Sequence, residues 1–197
     1  MIAKISDFAD IQGGLVLSRK EAKGSDSEFF SYKRLTVRSL EEKNILETTA
    51  LEDFHAVDSL DNALFTEEND IVIRLSFPMN PVLIDHRTRG LLVPSQLAVI
   101  RVKSTEQILP DYLRVFLTQR SVQDIILNQE NGSAQKSIKV KTISHLEIPI
   151  PDLSTQSKIV QIDALNRKRE FLYLSLIEQE HILAESLIEK IIGGTNR

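Results

Sequence analysis

The segment Ile148-Pro149-Ile150-Pro151-Asp152-Leu153-Ser154-Thr155-Gln156 marks a change in the character of the chain. Behind it, from Ser154 to Ile192, there is neither Pro nor Gly, and Gly193-Gly194 then follows. A run free of both helix breakers favours one continuous helix. At ~1.5 Å rise per residue it would extend roughly 57 Å, more than a small domain covers with its own surface. Leu165, Leu172, Leu176, Leu183, Leu187 and Ile191 step by seven and four, close to a heptad seam. Arg169 and Gln179 interrupt that seam, while Phe171, Leu174, Ile177 and Ile188 widen the apolar stripe. Such a helix either packs on its own domain or pairs with a partner helix, and its length favours the partner.

Ahead of this helix the chain reads as mixed α/β and rich in strands. Phe29 to Val37 and Asp70 to Leu75 carry aromatic and β-branched residues. Val82-Leu83-Ile84 and Leu97 to Val102 are short apolar runs bounded by Pro, Asn or Gly. Pro78, Pro81 and Pro94 fall between the runs, where a missing N–H does least harm. Helical spacing begins after Pro110, with Tyr112, Leu113, Phe116 and Leu117 on one face. Ser121 is a candidate cap for a second short helix through Val122, Ile125 and Ile126, ending near Asn131-Gly132. Ile148 to Pro151 is extended, and its two prolines exclude it from the centre of a sheet.

The 197 residues suit one domain with an appendage, or two small domains. With 42% hydrophobic and 26% charged residues, a packed core is expected and disorder is not. The absence of Cys excludes a disulfide scaffold, a thiolate metal site and a cysteine nucleophile. His55, His86, His145 and His181 are scattered, without metal-ligand spacing. The first residues are too charged for a signal peptide, and no apolar run is long enough to cross a bilayer. The expected compartment is therefore the cytoplasm.

Net charge is −4, which argues against coating nucleic acid by bulk charge but leaves room for a local basic face. Charge is segregated along the chain. Glu41 to Asp70 holds ten acids and one base, whereas Ile71 to Lys103 holds Arg74, Arg87, Arg89, Arg101 and Lys103 with Asp85 as its one acid. Gly132 to Leu146 holds Lys136, Lys139 and Lys141 and no acid.

Several pieces, in order, carry a resemblance. Asp10-Ile11-Gln12-Gly13-Gly14 near the start is followed by Asn69-Asp70-Ile71-Val72-Ile73-Arg74, then Ser95-Gln96-Leu97-Ala98-Val99-Ile100-Arg101. Leu109-Pro110-Asp111-Tyr112-Leu113 opens a helix, and Asn131-Gly132-Ser133-Ala134-Gln135-Lys136-Ser137-Ile138 forms a Gly-Ser loop. Leu146-Glu147-Ile148-Pro149-Ile150-Pro151 then leads through Leu153 and Gln156 into the long helix. This succession resembles the specificity subunits of Type I restriction–modification systems. Asp10 to Gly14 is similar to the opening turn of that family, and Asn69 stands where the family usually has Gly. The Pro strand, the Gln and the long helix after the Gly-Ser loop are the most specific part.

The resemblance implies an α/β (α+β) fold, with a mixed strand-rich target-recognition domain over residues 1–152. One conserved coiled-coil helix follows over 153–197, serving dimerisation and methyltransferase-subunit binding. It implies double-stranded DNA as ligand, a methyltransferase (modification) subunit as partner and, through it, the restriction subunit. It implies no catalysis, no cofactor and no metal in this chain. The usual family member has two recognition domains and two conserved helices, whereas this chain holds one of each. Its helix would pair antiparallel with a second copy or with a second half.

DNA binding needs cations that neutralise phosphates and polar groups that reach base edges. Arg74, Arg87 and Arg89, with Lys136, Lys139 and Lys141, are the candidates for phosphate contact, and Gln96, Asn131 and Gln135 for base edges. Each one taken singly reads more simply as a solvated surface group. Arg19-Lys20 and Lys33-Arg34 could extend the basic face. The helix candidates are the seam residues from Leu165 to Ile191.

Motifs for chemistry are few. There is no phosphate-cradling Gly motif. Asn80-Pro81-Val82-Leu83 lacks the second Pro and the aromatic of a methyltransferase site. Neither Pro110-Asp111 nor Pro151-Asp152 is followed by the Glu-x-Lys of a nuclease, so Asp111 and Asp152 read as helix-start and turn residues. The competing readings are a coiled-coil protein adaptor without DNA binding and a hydrolase built from acids such as Asp85 and Asp111.

Overall fold

Two apolar runs with little alternation, Ile71–Arg74 and Leu97–Val102, pair at the heart of a sheet whose two faces are both covered. The computed structural model describes residues 1–22, 29–40, 45–129 and 137–194. Its strands are β1 (Ile2–Lys4), β2 (Ala9–Gly13), β3 (Phe30–Arg34), β4 (Glu52–Ala56), β5 (Ile71–Arg74), β6 (Val82–Leu83), β7 (Leu97–Val102) and β8 (Glu147–Pro149). Its α-helices are α1 (Ile5–Phe8), α2 (Pro110–Thr118), α3 (Arg120–Gln129), α4 (Val140–Ser144) and α5 (Leu153–Gly194). The fold is α+β, strand-rich, with a long C-terminal helix.

The main sheet runs β2-β7-β5-β6, all antiparallel. Ile71 pairs with Ile100 and Ile73 with Ala98 on one face, while Val72 pairs with Val99 on the other. Of these, Ile71, Val72, Ile73, Ala98 and Ile100 are completely buried. Burial on both faces is why the sequence shows continuous apolar runs and not the alternation of a half-solvated sheet. Val72, Val82, Leu97 and Val99 join Leu35, Leu40, Ile84, Leu91 and Val93 in one core cluster. A second cluster, Leu17, Phe54, Ala56, Leu60 and Leu92, lies beside the β3–β4 ribbon. α2 packs on β6 and α4 on β2.

β2 is a correction to the sequence reading of Asp10 to Gly14 as a turn. Asp10 to Gly13 are strand residues, paired with Arg101 to Ala98. The chain leaves the strand at Gly14, where a Cβ would lie 2.2 Å from the Pro94 carbonyl oxygen. Only glycine allows that approach. Ser121 sits in the first turn of α3 and is not its cap, because α3 begins at Arg120. Strand β4 and helices α1 and α4 are short elements that the sequence reading did not identify.

β1 and β8 bring the two ends of the first unit together, with Ala3 opposite Ile148. Pro149 and the exposed Pro-rich edge are tolerated because this ribbon has only two strands. The chain divides into two compact units, Met1–Ser157 and Lys158–Arg197. α5 has 42 residues, about 63 Å of helix at ~1.5 Å per residue. Asp152 caps it: its Oδ1 accepts from the Thr155 N–H at 2.8 Å. In the same first turn Gln156 is fully buried.

Candidate nucleic-acid interface

The turn after β6 carries two exposed arginines on a hydrogen-bonded backbone. Asp85 Oδ1 accepts from the N–H groups of Arg87 (2.9 Å) and Thr88 (3.0 Å) and from Thr88 Oγ1 (2.8 Å). The Asp85 N–H in turn donates to Thr88 Oγ1 at 3.1 Å. This side-chain mimicry of a turn is what Asp and Thr do best. The Thr88 hydroxyl, followed by the backbone donors, holds the Asp85 carboxyl below its ordinary pKa. Gly90, at φ +80°, lets the chain reverse. Buried Thr66 anchors the far side: its carbonyl accepts from Gly90 N–H at 2.7 Å, and its Oγ1 donates to the Thr88 carbonyl and accepts from Leu91 N–H.

Arg87 and Arg89 stand exposed on this turn, and neither has a carboxylate partner among the described residues. Arg89 and Gly90 border an open groove of about 1050 Å³, lined also by Tyr32, Asn62, Phe65, Glu67 and Glu68. Tyr32 and Phe65 pack with ring centroids 5.1 Å apart, and Tyr32 Oη accepts from Leu60 N–H.

Other cations are engaged by acids of the same chain. Arg101 holds Asp70 through two parallel bonds of 2.8 Å, Nε to Oδ1 and Nη2 to Oδ2, and reaches Glu67 at 2.7 Å. Its guanidinium is held above its ordinary pKa, first by the hydrogen bond to Asp70. Lys103 pairs with Asp10 at 3.3 Å and donates to the Ser6 carbonyl. Lys33 pairs with Asp53 at 2.8 Å, Arg34 with Glu52, and Lys20 with Asp58 at 3.5 Å. Lys20, Lys33 and Arg34 are thus matched by carboxylates and add little to a basic face. The stretch from Ile71 to Lys103 is less basic in space than in sequence.

The remaining candidates fall at the opposite end of β5. Arg74 closes that strand, half-buried, with its Nε buried and unbonded among the described residues. Leu75 N–H donates to the carbonyl of exposed Gln96, and Leu75 carbonyl accepts from Ile138 N–H, which brings Lys139 to this end. Lys139 precedes α4, Lys141 lies within it, and both are exposed. Lys136, Asn131 and Gln135 lie outside the described residues. The structure therefore groups Arg87 with Arg89, and Arg74 with Gln96 and Lys139, at two ends of one strand instead of in one patch. No group of His and acidic residues suited to a metal occurs among the described residues.

The seam residues of α5 are more than half exposed in the chain: Leu165 67%, Leu172 55%, Leu176 51%, Leu183 60%, Leu187 51% and Ile191 72%. Phe171, Leu174, Ile177 and Ile188 are exposed as well, and so are Ile162, Tyr173, Ile182 and Ile192, which the sequence reading passed over. The described residues of α5 thus leave a dense run of large apolar groups exposed in the single chain. No described helix is long and apolar enough to cross a membrane.

A strand-rich domain with an ordered arginine tip, joined to a helix with exposed leucines, has the outline of a recognition module. The sequence matches the family model of the Type I restriction modification DNA specificity domain over residues 1–166, and the chain belongs to that family. As a member of a DNA specificity family it is not an enzyme. The fold is similar to the HsdS subunit from Thermoanaerobacter tengcongensis, with TM-score 0.61 and 13% identity over 88% of this chain and 44% of that one. It is also similar to a chain of a type I R-M system solved for its complex assembly and conformational transition (TM-score 0.63, 14% identity, 94% and 43% covered). A third neighbour is the S subunit of the Type-I restriction-modification system from M. genitalium (TM-score 0.53, 14% identity, 90% and 41% covered). The chain spans less than half the length of these solved chains. No curated protein matches the sequence.

Proposed function

We propose that this chain reads the DNA target of a Type I restriction–modification complex and holds the methyltransferase subunit beside it, with the restriction subunit joined through that partner. Residues 1–152 act as the target-recognition domain and 153–197 as the partner helix. The observation that carries this reading is that Arg87 and Arg89 stay exposed with no carboxylate partner among the described residues, while Arg101 and Lys103 in the same stretch are neutralised. Arg74, Lys139 and Lys141 act as a second, separate group of phosphate contacts, and Lys136, which lies outside the described residues, is a further candidate for such a contact. The exposed leucines of α5 support pairing of the helix, with a second copy of the chain or with a second S half. Two identical halves would read a palindrome split by unspecified bases, because a symmetric assembly reads a symmetric site. The working compartment is the cytoplasm.

The test is co-expression with the methyltransferase subunit, purification of the complex and sequencing for methylated sites. A complex that methylates a split site is the expected result. A chain that recruits protein but has no salt-dependent affinity for DNA would be a coiled-coil adaptor instead.

A further inference from the structure

We infer that the Asp85–Gly90 turn is a pre-organised reader of guanine, with Arg87 and Arg89 addressing base edges in the major groove and Asp85 as their positioning residue. The inference rests on the DNA-reading function proposed above and assigns the chemistry of one part of it. A turn that served only to hold phosphate would offer free backbone N–H groups or flexible cations in positive surroundings. Most of the backbone donors here are spent on the turn itself. Within Asp85–Gly90 the N–H groups of Asp85, Arg87, Thr88 and Gly90 donate within the protein, and the next N–H, that of Leu91, donates to Thr66 Oγ1. A carboxylate, Asp85, lies within the turn, and Glu67 and Glu68 line the groove beside Arg89. What the tip presents outward is two guanidinium forks on either side of Thr88. Their planar donor pairs match guanine O6 and N7, a contact that depends on direction and not on charge alone. Direction requires a fixed backbone, and the Asp85 and Thr66 hydrogen bonds supply it. Ordering the tip before binding removes part of the entropy that a mobile loop would lose on DNA.

The experiment separates charge from direction. The full chain, in complex with its methyltransferase subunit, selects binding sites from a random duplex library, alongside the variants R87K, R89K, R87A, R89A, D85N and D85A. Thermal melting controls for folding, since all the altered side chains are exposed. The unaltered chain should select guanine at fixed positions of its half-site. R87K or R89K should lose at least ~10-fold in affinity for that site and lose the guanine preference, with the salt slope retained. D85N keeps an acceptor oxygen for Arg87 and Thr88 and should retain the preference. D85A lacks it and should bind several-fold more weakly while still melting as a folded chain well above the assay temperature. Lysine variants that select the same sequence as the unaltered chain would reduce the tip to phosphate contact and overturn the inference while leaving DNA reading intact. If R87A and R89A also bind as the unaltered chain does, the tip lies outside the interface, and its place in the proposed DNA surface fails too.

Discussion

Gln156 Oε1 accepts the backbone N–H of Leu109 at 2.8 Å, joining the first turn of α5 to the residue that precedes α2. The same side chain donates through Nε2 to the carbonyls of Gln107 (3.0 Å) and Pro151 (2.9 Å). A fully buried amide thus satisfies three backbone groups at once. Gln156→Ala would leave all three desolvated and unbonded, with an expected loss of about 3 kcal/mol in urea unfolding. Gln156→Glu should be at least as damaging, because its carboxylate would face two carbonyl oxygens. A loss below about 1 kcal/mol would mean that water replaces the amide.

Arg101 and Asp70 are a second such pair. The Asp70 side chain is 1% exposed and the Arg101 side chain 37%. Arg101→Met would strand a buried carboxylate, and the expected destabilisation is about 3–5 kcal/mol. Adding Asp70→Asn should recover a good part of that loss in a double-mutant cycle. Additive losses would show that the two residues act separately.

Asn69 takes φ 71°, in the left-handed region, at the entrance to β5. Asn69→Gly should leave stability within a few tenths of a kcal/mol, whereas Asn69→Val should cost about 1–2 kcal/mol. Chemical denaturation of the two variants checks this directly. It also accounts for the resemblance seen in the sequence, where Asn stands in the usual place of Gly.

Asp85 gives the arginine tip a pH limit. Its carboxyl lies below the ordinary carboxylate value in the folded chain, chiefly through the Thr88 hydroxyl. The contribution of its hydrogen bonds is therefore complete above the ordinary value and is lost as pH falls through the lowered one. Amide chemical shifts of Arg87 and Thr88 should stay constant down to the ordinary carboxylate range and move together below it. Movement at neutral pH would contradict the assignment.

Leu176→Lys with Leu183→Lys should abolish pairing through α5, read as a fall to the monomer mass in light scattering. The melting of the first unit should not change, because these side chains are half exposed or more in the single chain. Unfolding of that unit would show that the leucines serve its core.

Much of the architecture is local and could be read from the residues. Leu97 to Val102 is a strand because its residues, Arg101 aside, are apolar and bounded by Pro94 and a polar stretch, and β7 has those same limits. Pro110 starts α2 at the position where a missing N–H is harmless. The long run without Pro or Gly becomes α5, and the leucine seam is visible in its spacing. Short elements such as β4 and α4 had no periodicity to reveal them, since they depend on partners distant in sequence. The charge pattern misleads for the same reason. Glu41 to Asp70 and Ile71 to Lys103 look like opposed blocks, yet the acids of the first fold back on cations outside it: Glu52 on Arg34, Asp53 on Lys33, Asp58 on Lys20, Glu67 and Asp70 on Arg101. Ion pairing follows distance in space, so composition could nominate the cations, but only the tertiary fold decided which were already neutralised. It left Arg87 and Arg89 on a turn whose acid is occupied with its own backbone.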